Sequence, residues 1–198
     1  YVQIEQQQFE RADSAVTSLA GYAGGKTPTD GGDFVCYDGG PHDYTTLGHG
    51  EVTQVTVKDA AQVAALASDF FASFQGPDGA RQRPDPFNMG PPYRSLIGLP
   101  GGATSPMYTV FEDANVHKME LRPSTGGSDD DEINVVWVYD STAFPFWPAE
   151  VYHQLHCNSF MNEGMPYAAS CAFRPNARPP ARPPPLRLAS RACARSLT

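Results

Sequence analysis

No stretch of the 198 residues runs to about eighteen consecutive apolar side chains, so the sequence offers no helix that would cross a membrane. It has no initiator methionine and no leader of the basic-then-apolar kind. Tyr1 falls inside what reads as a structured element, so an upstream segment is expected and targeting is unreadable. Basic residues are scarce: 14 Lys and Arg stand against 22 Asp and Glu, for a formal net charge of -8 and a pI near 5.0. That balance excludes an electrostatic nucleic-acid binder. Cysteine is sparse too. Cys36, Cys157, Cys171 and Cys193 suit neither a zinc knuckle nor a dense disulfide scaffold, and one or two disulfides fit them.

Several chemical signatures are also missing. The glycines of Gly21–Gly25 lack the strand-to-helix G-x-G-x-x-G context and the phosphate-loop Lys-Ser/Thr pair, so no nucleotide is expected. The five histidines are His42, His49, His117, His153 and His156. His49 lies two residues from Glu51, and His153, His156 and Cys157 fit one helical side, but no HExxH spacing occurs. Neither a metal nor any other cofactor is expected. No internal repeat is visible.

What is present suits one folded domain and a tail. Hydrophobic residues make up 40%, enough for one core at this length. Glycine and proline are frequent, at 18 and 19 residues, which predicts long loops. From Arg174 to Thr198 there are six arginines and no acid, so the preceding 173 residues carry 8 basic and 22 acidic side chains, a balance of -14. The domain is expected over residues 1–160 and a Pro/Arg-rich tail over 161–198. The tail reads as disordered; folding back onto the acidic body, or contact with an acidic or lipid surface, are the other readings.

Val2 to Ser14 reads as a helix with Ile4 and Phe9 as apolar anchors. Gly21 to Gly50 is glycine-rich and reads as a long loop. A strand follows over roughly Glu51 to Val57, with Val55 and Val57 on one face. Asp59 is placed to cap a helix from Ala60 to Phe74, whose Val63, Leu66, Phe70 and Phe74 recur at helical spacing. Strands are expected over Tyr93–Leu99, Met107–Phe111 and Ile133–Tyr139, with a solvated acidic turn at Gly126–Glu132. Pro148 is placed to open a short helix toward Phe160. The whole predicts an α/β (α+β) two-layer sandwich around a mixed sheet.

Four segments, in order, carry a family resemblance. They are GYAGG at Gly21–Gly25 with Val35-Cys36, GHGEVTQV at Gly48–Val55, RQ at Arg81-Gln82 with GPPYRSLI at Gly90–Ile97, and FWPAEVYHQ at Phe146–Gln154. Together they resemble the A-type peptide methionine sulfoxide reductases. That family reduces the S epimer of methionine sulfoxide, free or in protein, to methionine. The resemblance implies that family's two-layer fold, a thioredoxin-like reductant as partner and methionine sulfoxide in peptides as substrate.

On its register Glu51 matches the acid and Tyr93 an oxygen-binding tyrosine. His49 matches the histidine beside the acid. Glu5 and Phe9 match the residues that follow the nucleophile's motif, and Tyr1 and Val2 stand where the family has its Phe-Trp methyl cage. The nucleophilic cysteine falls one position before Tyr1. Cys157 lies near where some members carry a resolving cysteine.

The residue chemistry is coherent. A thiolate at a helix N-terminus is stabilised by free N–H groups, a buried carboxylic acid can donate the proton, and tyrosine hydroxyls can hold the sulfoxide oxygen. The sequence also departs from the family. Its second tyrosine corresponds to Gly32, a pocket carboxylate to Asn88, and the residue before the matching tyrosine is Pro92. An insertion from Asp38 to about Leu47 separates Cys36 from Gly48. Plainer readings make Glu51 a loop anchor, Tyr93 a core aromatic and Cys36 a buried structural thiol. Two functions follow: a binding or scaffold subunit of a larger assembly that has lost catalysis, or an active reductase using a cysteine before Tyr1.

Overall fold

In the computed structural model, the structure describes residues 17–154 apart from 31, 38–39, 76–86, 128 and 151–152. The expected helix at Val2–Ser14, with Tyr1 and Glu5, lies outside them, as do Cys157 and the tail. The described chain mixes helices and strands, as the sequence predicts. Its strands form two three-stranded sheets. In one, β1 (Thr17–Ala23) lies between β2 (Gly50–Thr56) and β6 (Trp147–Pro148), all antiparallel. In the other, β5 (Val135–Asp140) lies between β3 (Leu96–Leu99) and β4 (Glu120–Pro123), all parallel.

Helix α1 (Ala60–Ala72) forms where its caps and apolar spacing agree. Asp59 is extended, and its Oδ1 accepts from the Gln62 amide at 2.9 Å. The Gln62 side chain reaches back to accept from the Lys58 amide at 2.9 Å, so two otherwise orphaned donors are satisfied. Val63, Ala67 and Phe71 come round every fourth residue, and this stripe is buried against Ile97 and Leu99 of β3 and Val136 and Val138 of β5. Helix α2 (Tyr108–Ala114) adds Phe111 to the same core. The helices share one core with the parallel sheet, and the single mixed sheet expected from the sequence is instead one antiparallel and one parallel sheet.

Several expectations need correction. The segment expected as a strand at Met107–Phe111 enters α2. Met107, Val110, Phe111 and Ala114 fall at helical spacing, and burial on α1 and β5 outweighs the β-propensity of Tyr, Thr and Val. The strand expected from Tyr93 begins at Leu96, because Pro91 and Pro92 set a 3₁₀ turn through Tyr93. Within the stretch expected to loop, Gly21 to Ala23 belong to β1. Pro148 itself pairs with Gly21 in β6, and most of the helix expected from Ala149 to Phe160 lies outside the described residues. β6 ends with Ala149 donating to Ala20 at 3.0 Å, and Gln154 then extends the edge: its amide oxygen accepts from the Ala20 N–H and its NH₂ donates to the Ala20 carbonyl, each at 2.9 Å.

Gly98 is needed for close approach, since a Cβ there would collide with the Tyr139 ring of β5. Gly48 combines φ +75 with a backbone contact to Gly127 that leaves no room for a side chain.

Candidate functional site

β2 carries Glu51 opposite Tyr22 of β1, so both side chains stand on one face of the sheet. Tyr22 stacks on Tyr44 with ring centroids 4.7 Å apart, and Tyr44 stacks on Tyr37 at 5.5 Å. The Tyr44 hydroxyl donates to Glu51 Oε1 at 3.2 Å and is hydrogen-bonded to Tyr93. Tyr44 is 3% exposed; burial, then the Glu51 charge and the neighbouring phenols, push its ionisation well above the usual tyrosine range. It therefore stays a neutral hydroxyl that can donate one hydrogen bond and accept others. Glu51, Tyr44 and Tyr93 form one hydrogen-bonded set drawn from β2, the insertion and the turn before β3.

Sequence reasoning brings Glu51 and Tyr93 together and misses Tyr44. Position 32, where the resemblance expects a second tyrosine, holds no room for one: a Cβ at Gly32 would run into the His42 ring. The segment between Cys36 and Gly48 brings the Tyr44 phenol to Glu51. It returns to the body by backbone bonds from Cys36 N to His42 O at 2.9 Å, Tyr44 N to Cys36 O at 2.9 Å and His49 N to Tyr44 O at 2.8 Å. The only available signal was a tyrosine seven residues before Glu51, within an insertion that reads as loop.

Glu51, Asn88 and Tyr93 open onto a cavity of about 480 Å³. The rest of its lining is mainly apolar and includes Val55, Leu66, Phe70, Phe144 and Phe146. The size and the mainly apolar lining with a few polar groups are those of a small-molecule or side-chain pocket.

His49 does not join the acid. It is 1% exposed, and its ring bridges two backbone groups: Nδ1 accepts from the Gly25 amide at 3.1 Å, and Nε2 donates to the Lys26 carbonyl at 3.0 Å. Burial pulls its pKa down to about 4, outweighing its backbone hydrogen bonds, so it is neutral near pH 7. Its role is to fasten the end of β1 to the start of β2.

The described part of FWPAEVYHQ supports the aromatic stack. Glu150 Oε2 accepts from the Tyr22 hydroxyl at 2.8 Å, and Oε1 accepts from the Tyr37 amide at 2.8 Å. His153 packs against Tyr37 at 5.0 Å. Cys36 is fully buried, but the expectation of a free structural thiol is corrected: it is disulfide-bonded. A side chain packed at the base of the inserted loop is well placed for a covalent tie. His42, two residues before Tyr44, is held between Asp30 Oδ2 at 2.8 Å and the Phe34 carbonyl at 3.1 Å. Among the described residues no three or more His, Cys, Asp or Glu side chains are grouped to hold a metal ion.

The chain matches no family model, no curated protein and no solved structure.

Proposed function

We propose that this chain is a divergent relative of the A-type peptide methionine sulfoxide reductases that has kept the grip on the sulfoxide oxygen and serves as a methionine sulfoxide-binding subunit. The observation that carries this reading is that Glu51 and Tyr93 line a largely apolar cavity, with Tyr44 buried behind them and hydrogen-bonded to both. A sulfoxide is a strong acceptor on a small polar head, attached to a methyl and a thioether chain. The Tyr93 hydroxyl, braced by the buried Tyr44–Glu51 pair, suits the oxygen, and the apolar lining suits the rest. The finer fold expectation, a sandwich like that family's, belongs to the same proposal.

Reduction needs one group more. A cysteine thiolate attacks the sulfoxide sulfur while Glu51, in its protonated form, gives a proton to the oxygen, which passes from the methionine sulfur to the cysteine sulfur. The S–O bond breaks, methionine leaves reduced by two electrons, and the cysteine sulfur becomes a sulfenic acid, oxidised by two. A second thiol, in the role proposed for Cys157, closes a disulfide that a thioredoxin-like reductant opens. Cys36 is already disulfide-bonded and offers no such thiolate. The binding role is further favoured by Phe87 and Met89, which flank Asn88 at the cavity and are 82% and 69% exposed, as a rim for a polypeptide would be.

The test compares two proteins, this 198-residue chain and the same chain with one cysteine added before Tyr1. Both are expected to bind N-acetylmethionine S-sulfoxide, and only the extended one to consume a thiol in its presence. Failure of both to distinguish sulfoxide from methionine would refute the proposal.

A further inference from the structure

The acidic stretch 126–132 does not behave as the solvated turn its composition predicts. Asp129 is 5% exposed and lies 3.5 Å from the Nε of Arg94, itself 4% exposed. Asp129 also accepts from the Ser124 hydroxyl. Two residues on, Asp131 Oδ2 accepts from the Gly90 amide at 2.7 Å. The Gly127 amide donates to the Gly24 carbonyl at 2.9 Å. The turn is thereby fastened to the segments that carry the candidate site.

Arg94 is the junction. Its Nη1 donates to the Pro91 carbonyl at 2.7 Å, inside the turn that presents Tyr93. Its Nη2 donates to the Gly48 carbonyl at 3.0 Å, three residues before Glu51, and to Gly24 at 3.4 Å. One rigid planar fork thus ties the segment of Tyr93 to the segment of Glu51. Burial disfavours the charge on this guanidinium, and Asp129 is the first of the groups that offset it. Gly90, at φ +100, starts the turn, and its carbonyl accepts from the Tyr93 amide at 2.9 Å. Asp131 therefore fixes the hinge of the same turn whose far end Arg94 fixes.

We propose that Asp129 and Asp131 are positioning residues for the oxygen-binding set, acting on Tyr93 and Glu51 through Arg94 and through the Gly90 amide. The inference rests on the proposed function for its meaning in binding, but the geometry it asserts is independent of it. Neither carboxylate touches the ligand. Each sets where a hydroxyl or carboxyl stands, and a misplacement near 1 Å at such a site costs up to about 100-fold.

The experiment uses the full chain with ring-¹³C tyrosine, in which Tyr44, Tyr93 and Tyr108 signals are assigned by single Tyr→Phe changes. Asp129→Asn, Asp131→Asn and Asp131→Glu are compared with the parent. In both Asn variants the Tyr93 and Tyr44 signals are expected to move while Tyr108, on α2, stays. Affinity for N-acetylmethionine S-sulfoxide is expected to fall about 10-fold or more, and Asp131→Glu to restore most of it. A lower melting temperature with unchanged Tyr93 and Tyr44 signals overturns the proposal, because it leaves the acids a purely structural role. Should Asp129→Asn not fold, the half-buried Asp131 pair decides alone. A parent that ignores the sulfoxide while the tyrosine signals still move defeats the proposed function and leaves the positioning intact.

Discussion

Tyr44 and Glu51 meet hydroxyl to carboxylate at 3.2 Å, seven residues apart, across a loop that the family resemblance treats as an insertion. On the proposed reading, the contact makes the missing family tyrosine a relocation rather than a loss. Position 32 has no phenol and no space for one, yet a phenol stands against the acid, stacked between Tyr22 and Tyr37.

Removing that hydroxyl tests the relocation. Tyr44→Phe keeps the ring and its stacking but removes a buried hydrogen bond to Glu51, so stability should fall by about 1.5–3 kcal/mol. Hydrogen bonds to charged groups contribute about 1.5–3 kcal/mol, and this one holds Glu51 in place beside the cavity. Affinity for a methionine sulfoxide peptide should therefore drop about 10-fold to 100-fold, with affinity for the corresponding methionine peptide unchanged. Isothermal titration of both peptides is the check.

His49 makes stability fall with acid. Its folded pKa is about 4, against 6.5 for an ordinary histidine. Between those values the unfolded chain binds a proton that the buried ring refuses, so the unfolded state gains as pH is lowered. The loss grows from pH 6.5 to about 4 and then levels, reaching about 3 kcal/mol at most. His42 has the opposite sign. Its pKa is raised, chiefly by the Phe34 carbonyl and then by Asp30, so its contribution is full below 6.5 and fades as pH rises through the raised value. Urea unfolding across pH 4–7 should give a flatter profile for His49→Gln and a steeper one for His42→Gln.

The core should respond as a close-packed one does. Phe71 is fully buried between α1 and the parallel sheet, and Phe71→Ala is expected to cost about 3–5 kcal/mol in denaturant unfolding. Asp59→Ala, which removes only the cap, should cost about 1 kcal/mol. A reversed order would mean that the apolar stripe is not what holds α1 in place.

Reducing the Cys36 disulfide loosens the base of the loop that presents Tyr44. Its backbone still pairs with His42 and Tyr44, so the fold should survive with a stability lower by about 2–4 kcal/mol. Sulfoxide affinity should weaken in parallel. Cys36→Ser, measured without reductant, should reproduce both changes. Equal affinity before and after reduction would separate the loop's tether from the site.

Local rules made some of this legible and long-range contacts hid the rest. α1 was readable because Asp59 at the cap position and apolar residues recurring at helical spacing agree, though the helix ends at Ala72 rather than Phe74 and its buried stripe is Val63, Ala67 and Phe71. The strand over Val135–Asp140 was readable from its β-branched and aromatic run, though Ile133 stays outside it and 55% exposed. Met107–Phe111 was misread because five residues of apolar and β-prone chain fit either period, and only packing on α1 and β5 decides. At the site, the resemblance supplied Glu51 and Tyr93. Tyr44 escaped because its partnership depends on how an insertion closes, and Asp129 because burial by Arg94 is invisible in a run of acids.

The most direct measurement is a titration of the purified chain with N-acetylmethionine S-sulfoxide and, separately, with N-acetylmethionine. The account expects saturable binding of the sulfoxide alone, weakened by Tyr44→Phe and by Tyr93→Phe and unaffected by Asp59→Ala. Equal response to both compounds, or a sulfoxide affinity indifferent to both tyrosines, would contradict it.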